Sequence, residues 1–222
     1  MGSTTVRAFE DEAIKLGEVL EVHVGETPDI FYVHQELICS NSKFFNNAMN
    51  GKWEESNNRI IQLPTNQPAT FNLYAQWLYT RRIPSGNSTF NIKTYQKEVR
   101  KLVNAYILGD QFQDTGFKNA VVDAFLSVDE IQDEEGTQFY PGGGCIKQVY
   151  EGTPGPCGFR RFLVDTFLRD CSYELLEGCE PPEFFQDLAV ASLKVLESKN
   201  VDLAELLKGR LYHEREEASK ES

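Results

Sequence analysis

Residues 31–83 read FYVHQELICSNSKFFNNAMNGKWEESNNRIIQLPTNQPATFNLYAQWLYTRRI. In this stretch an apolar strand end gives way to two short helical patterns, a second strand and a longer helix. Ile30 to Val33 is short and β-rich, and His34 opens a helix that carries Leu37 and Ile38. Ser40-Asn41-Ser42 offers side-chain oxygens to cap the next helix, in which Phe44 pairs with Ala48 and Phe45 with Met49 at i,i+4 until Gly51 stops it. Arg59 to Leu63 returns as a strand closed by Pro64. Asn66 or Gln67 and then Pro68 mark a helix start, because proline lacks an N–H that the first turn does not use. That helix sets Phe71, Tyr74, Trp77 and Leu78 on one stripe.

Upstream, Val19 to Val24 alternates, with Leu20, Val22 and Val24 on one face and Glu21 and His23 on the other. Gly25-Glu26-Thr27-Pro28-Asp29 supplies the turn. Downstream, Pro84 to Asn91 reads as a loop. Two amphipathic helices follow, roughly Tyr95 to Phe112 and Thr115 to Val128, and their close spacing predicts a helical hairpin. Asp129 to Gly136 is an acidic turn and Tyr140 to Cys145 a glycine-rich loop. The remainder is helical, over Ile146 to Tyr150, Phe159 to Cys171, Pro182 to Lys199 and Val201 to Leu211. The expected organisation is an N-terminal segment (1–17), an α+β unit (18–128), a linker (129–145), a helical extension (146–211) and a charged tail (212–222).

The chain has 222 residues, 22 Lys and Arg against 34 Asp and Glu, and a net charge of -12. Such a balance repels phosphate backbones and anionic membranes unless a local basic face exists. The close basic pairs, Arg81-Arg82 and Arg160-Arg161, are too short to make one, so nucleic acid and membrane are not expected partners. Residues 1–13 lack the apolar core of a secretory signal, and no segment approaches the roughly 18 apolar residues of a spanning helix. Five irregularly spaced cysteines in a chain of this size fit free thiols in a reducing compartment, cytoplasmic, nuclear or both.

Chemistry is sparse. His34 lies between a strand and an apolar helix, where a hydrogen-bonded structural role is expected, and three scattered histidines assemble no nucleophile–base pair. Pro141-Gly142-Gly143-Gly144-Cys145 lacks the ending of a phosphate loop and reads as a flexible connection. Asp129, Glu130, Asp133, Glu134 and Glu135 lack the spacing of a calcium loop and read as a solvated turn. Cys157-Gly158-Phe159-Arg160-Arg161 could hold an activated thiol beside two cations, against the plainer reading of a small residue at a buried helix start. No catalytic residue, cofactor or metal site is expected.

The patterns VLEVHVG, FYVHQELICSNSKFF, GKWEES, IIQLP, FNLYAQWLYT and LVNAYILGDQF resemble the BTB/POZ domain over residues 18–128. IKQVYEGTPGPCGFRRFLVDTF and PPEFFQDLA look like the helical extension of fungal BTB proteins. The resemblance implies a small mixed sheet flanked by a cluster of helices, followed by an all-helical extension. It also implies a non-enzymatic adaptor that binds protein partners, forms homodimers and docks to a cullin ubiquitin ligase. A transcription-linked or other scaffold without a ligase role is the alternative, and a cysteine-dependent enzyme the distant one.

By the same resemblance Trp53-Glu54-Glu55 matches the hydrophobic-x-Glu motif of cullin adaptors. Trp53 has an alternative use in covering the helix of Phe45 and Met49. Dimers of the family use a segment before the first strand, which places Phe9 and Leu16 among the protein-binding candidates. Transcription-type relatives carry a charged pocket, but here its two positions hold Glu18 and Gln35, so the cation is missing. Phe184-Phe185 and Phe139-Tyr140 are candidate anchors between the two units.

Overall fold

In the computed structural model, which describes residues 16–50, 58–170, 176 and 181–198, the sheet is built first. Strand β1 (Val19–Val24) turns through Gly25, at φ 99°, into β2 (Asp29–His34). The two pair antiparallel, with Leu20 opposite Val33 and Val22 opposite Phe31. Helices α1 (Gln35–Asn41) and α2 (Lys43–Asn50) precede β3 (Ile60–Leu63), which lies parallel to β1 with Val22 opposite Ile61 and Val24 opposite Leu63. The sheet order is β2-β1-β3. The period of two then puts Leu20, Val22, Val24, Val33, Ile61 and Leu63 in the core.

Six longer helices follow β3 among the described residues: α3 (Pro68–Thr80), α4 (Ile92–Gln111), α5 (Thr115–Asp129), α6 (Gly143–Gly152), α7 (Gly158–Asp170) and α8 (Pro182–Ser198). The class is thus α+β, a small mixed sheet flanked by helices, as the sequence predicts. Pro68 sits in the first turn of α3, and the predicted stripe of Phe71, Tyr74, Trp77 and Leu78 is buried. Helix α4 starts at Ile92, three residues before the predicted Tyr95. Asn91 forms a capping box: its side chain accepts from the N–H of Lys93 and Thr94, and Thr94 Oγ1 accepts from the N–H of Asn91.

The core is aromatic and continuous. Phe45, Phe71 and Phe112 meet between α2, α3 and the end of α4, with the Phe45 and Phe112 centroids 4.9 Å apart. Tyr74 meets Phe117 at 4.8 Å. Gly109 lets α4 approach α5 closely, since a Cβ there would lie 2.9 Å from Lys118 Cγ. The helical extension is seated on this unit by Phe159, which contacts Tyr106 at 5.0 Å and Phe125 at 4.9 Å, and by Phe162, 5.1 Å from Phe125. Such buried rings each cost about 3–5 kcal/mol to truncate.

Several expectations are revised by packing. Asp129 is the last residue of α5 and is buried, with Arg169 of α7 donating to its Oδ2 at 3.1 Å, so it is no part of a solvated turn. The glycines 143 and 144 and Cys145 belong to α6, whose N-cap is Gly142, in place of a flexible connection. Phe139 does bridge the linker to α4, meeting Phe90 at 5.7 Å and Tyr95 at 5.6 Å. Phe184 is buried against Tyr150 and Phe167 inside the extension, whereas Phe185 is partly exposed. Residues 1–15 of the N-terminal segment, residues 201–211 and the tail lie outside the described residues.

Candidate functional site

A cleft of about 560 Å³ opens where the lead into β1 passes α1 and α2. Gly17 and Glu18 form one wall, Gln35, Glu36, Cys39 and Ser40 of α1 the second, and Asn46, Met49 and Asn50 of α2 the third. The helical repeat explains the set, because positions 35, 36, 39 and 40 share one face of α1 while Leu37 and Ile38 turn to the core. The backbone N–H of Gln35 donates to the carbonyl of Glu18 at 2.8 Å and ties the first two walls together. Gln35 Oε1 is buried and accepts no hydrogen bond among the described residues.

The cleft is acidic at its mouth, where Glu18 and Glu36 are exposed. Gln35 supplies no cation, yet Glu18 has one: Arg59, just before β3, reaches its Oε2 at 2.5 Å. Arg59 stands at φ 55° and its carbonyl accepts from the N–H of Glu21 at 2.9 Å, which fixes the unusual backbone in the strand edge. Both side chains of the pair are well exposed, so it contributes little to stability.

Cys39 is the thiol in this cleft. Burial pushes its pKa up to about 11, which leaves it protonated at neutral pH and a poor nucleophile. Burial likewise lifts Cys145 to about 12. Cys157 is buried and free, and the nearby Arg160 is committed elsewhere. Its guanidinium donates to the carbonyls of Tyr150 and Thr153 and to Thr153 Oγ1, and lies 4.3 Å from the Tyr150 ring centroid. Arg160 therefore closes the C-terminal end of α6, where cations belong, rather than activating a thiol. Cys171 and Cys179 lie outside the described residues.

His23 and His34, the histidines among the described residues, are engaged in structure. His34 Nδ1 is 2.8 Å from Tyr79 Oη, which also accepts the His34 backbone N–H at 3.1 Å, joining the end of β2 to α3. His23 Nε2 bonds Glu21 Oε1 at 2.5 Å, and Gln62 Nε2 lies 3.1 Å from its Nδ1. Among the described residues no group of three or more His, Cys, Asp or Glu could hold a metal ion. No helix among them is long and apolar enough to cross a membrane.

Beside the cleft, exposed apolar side chains stand next to the polar Glu21, His23 and Gln62 of the sheet's outer face. Leu16 is 67% exposed, Tyr32 66%, Ile30 50% and Val19 41%. Tyr32 and Ile30 alternate along β2, which among the described residues has β1 on one side and no strand on the other. Of the residues nominated from the sequence, Leu16 is exposed three residues before β1. Phe9, Trp53 and Glu55 lie outside the described residues. Comparison with protein-family models and with curated proteins gives no match to this chain.

Proposed function

We propose that the chain is a non-enzymatic protein-interaction module of the BTB/POZ type, with a fungal-type helical extension, that works in the cytoplasm or nucleus. It self-associates through the outer face of β1 and β2. The observation that carries this reading is that Val19, Ile30 and Tyr32 are exposed on the outer face beside the free side of β2, which no strand covers among the described residues, with Leu16 exposed just before β1. Exposed apolar side chains grouped at a sheet edge favour a covering surface, and a second copy offers the same face with the same register. Each such side chain contributes about 1.5–3 kcal/mol when fully covered.

Docking to a cullin ubiquitin ligase is the second half of the reading and rests on the Trp53-Glu54-Glu55 sequence. A scaffold without a ligase role is favoured by one observation, the Glu18–Arg59 pair, which sets opposite charges at the mouth of the cleft despite Gln35. The high thiol pKa of Cys39 counts against a cysteine enzyme.

Light scattering over a hundredfold concentration range tests the self-association. The wild type is expected to show a dimer mass that Tyr32→Glu reduces to the monomer with an unchanged circular dichroism spectrum, and a monomer at every concentration overturns the reading. Cullin capture by the wild type, lost in Trp53→Ala and Glu55→Lys, supports the adaptor role. Absence of capture leaves the scaffold.

A further inference from the structure

A second groove runs between α3 and α4, about 370 Å³ in volume, and its charge is opposite to that of the chain. Helix α4 lines it with Lys97, Arg100, Lys101 and Asn104, and α3 with Asn72 and Gln76 above Ala69 and Leu73. The cations recur at i, i+3 and i+4, so one helix face carries them all, and Lys93 lies one turn earlier on the same face. Lys97 and Arg100 are exposed and make no hydrogen bond or ion pair among the described residues. Lys101 donates to the carbonyl of Ser85 at 3.2 Å.

Among the described residues no carboxylate forms an ion pair with Lys97, Arg100 or Lys101. Helix α3 has no charged residue at all, Glu98 is buried with Ser85 Oγ donating to it at 2.6 Å, and Asp110 is held by Lys118 at 2.8 Å. A basic groove left uncompensated in a chain of net charge -12 is a local inversion of the field, suited to an anionic partner.

The lining says which anion. Asn72 and Gln76 are exposed side-chain amides one turn apart, with no hydrogen bond among the described residues, and an amide offers the donor and acceptor that a peptide backbone needs. The lining spans residues 67–76 of the α3 side and 97–104 of α4. At 1.5 Å per residue the groove is about 10–14 Å long, room for about three or four extended residues. No aromatic ring lines it, so bases would find no stacking platform, and a long polyanion would meet the acidic remainder of the surface.

We propose that the α3–α4 groove is a docking site for a short, extended acidic segment of a partner protein, with Lys97, Arg100 and Lys101 pairing its carboxylates and Asn72 and Gln76 holding its backbone. This surface is separate from the strand edge invoked for self-association and stands without it.

The test is fluorescence anisotropy of the full chain with a labelled octapeptide of alternating glutamate and serine, against its glutamine–serine counterpart. The acidic peptide is expected to bind, at least tenfold more tightly than the neutral one. Lys97→Glu/Arg100→Glu is expected to weaken it at least tenfold and Asn72→Ala/Gln76→Ala at least threefold, while Arg161→Glu on the extension leaves it unchanged. Absence of binding, or equal loss in Arg161→Glu, overturns the proposal. Tighter binding of a 20-nucleotide single strand at the same salt concentration also overturns it, in favour of nucleic acid.

Discussion

Tyr74 Oη donates to Asp114 Oδ2 at 2.9 Å, joining the middle of α3 to the N-cap of α5 inside the aromatic core. Asp114 uses its other oxygen to accept the N–H of Phe117 at 2.8 Å, so one buried carboxylate serves two elements. Removing the phenol would leave Oδ2 buried without its donor. Tyr74→Phe is therefore expected to cost about 1–3 kcal/mol. Asp114→Ala, which also loses the cap, should cost more, by about 0.5–2 kcal/mol. Urea midpoints measure both, and a Tyr74→Phe midpoint equal to wild type would show that the bond carries no net stability.

The same carboxyl makes stability depend on pH in an unusual direction. Burial raises the pKa of Asp114 above the ordinary 3.8, against the hydrogen bonds from Phe117 and Tyr74 that pull it down. The folded chain therefore holds this proton more tightly than the unfolded chain. Its contribution improves as pH falls from the folded pKa toward 3.8, and is unfavourable above that window. Asp114→Asn keeps an acceptor for Phe117 and removes the titration. The stability of wild type minus that of Asp114→Asn, from urea melts between pH 7 and pH 4, is expected to rise as pH falls; a flat difference would refute the burial argument.

Gly152 ends α6 against α4, and a methyl there would overlap Ile107, approaching its Cγ1 to 2.7 Å. Gly152→Ala should destabilise by about 1–3 kcal/mol, because the overlap outweighs the small propensity gain at a helix end. Ile107→Val removes the outermost carbon and should make the double variant more stable than the sum of the single effects. Thermal melts of the four proteins close the cycle. Simple additivity, with Gly152→Ala neutral, would mean that α6 is not seated on α4.

Much of this architecture follows from local pattern. The alternation of Val19 to Val24, the proline at 68 and the stripe of Phe71, Tyr74, Trp77 and Leu78 predict their elements because the period of the core face is written in the residues themselves. The start of α4 was legible too, in Asn91 and Thr94, but a polar run before a helix looks like a loop until the reciprocal capping bonds are recognised. Adjacent basic pairs are a linear signal, whereas Lys93, Lys97, Arg100 and Lys101 cluster only through the helical repeat. The Asp129–Arg169 and Glu18–Arg59 pairs were beyond reach, since each joins residues about 40 apart and depends on how elements pack. Gln35 brings no charge to Glu18, and nothing in the sequence around it points to Arg59 as the partner.

Cys39 separates a binding cleft from a catalytic one. With a pKa near 11, its thiolate population at pH 7.5 is about 300-fold below that of a free cysteine of pKa about 8.5. A more basic thiolate is intrinsically more nucleophilic, by about tenfold over this range. Iodoacetamide should thus label Cys39 about 30-fold more slowly than free cysteine at pH 7.5, with a rate that climbs about tenfold per pH unit to about pH 10. Peptide-resolved mass spectrometry of the intact chain isolates Cys39 from the other four cysteines. A catalytic thiol would behave oppositely, since an adjacent cation or base populates its thiolate early and the rate levels off below pH 8. Fast labelling with such a plateau would return the cysteine-enzyme reading to the front. Slow labelling without one leaves the cleft as a surface for recognition, with Glu18, Gln35 and Glu36 as its polar contacts.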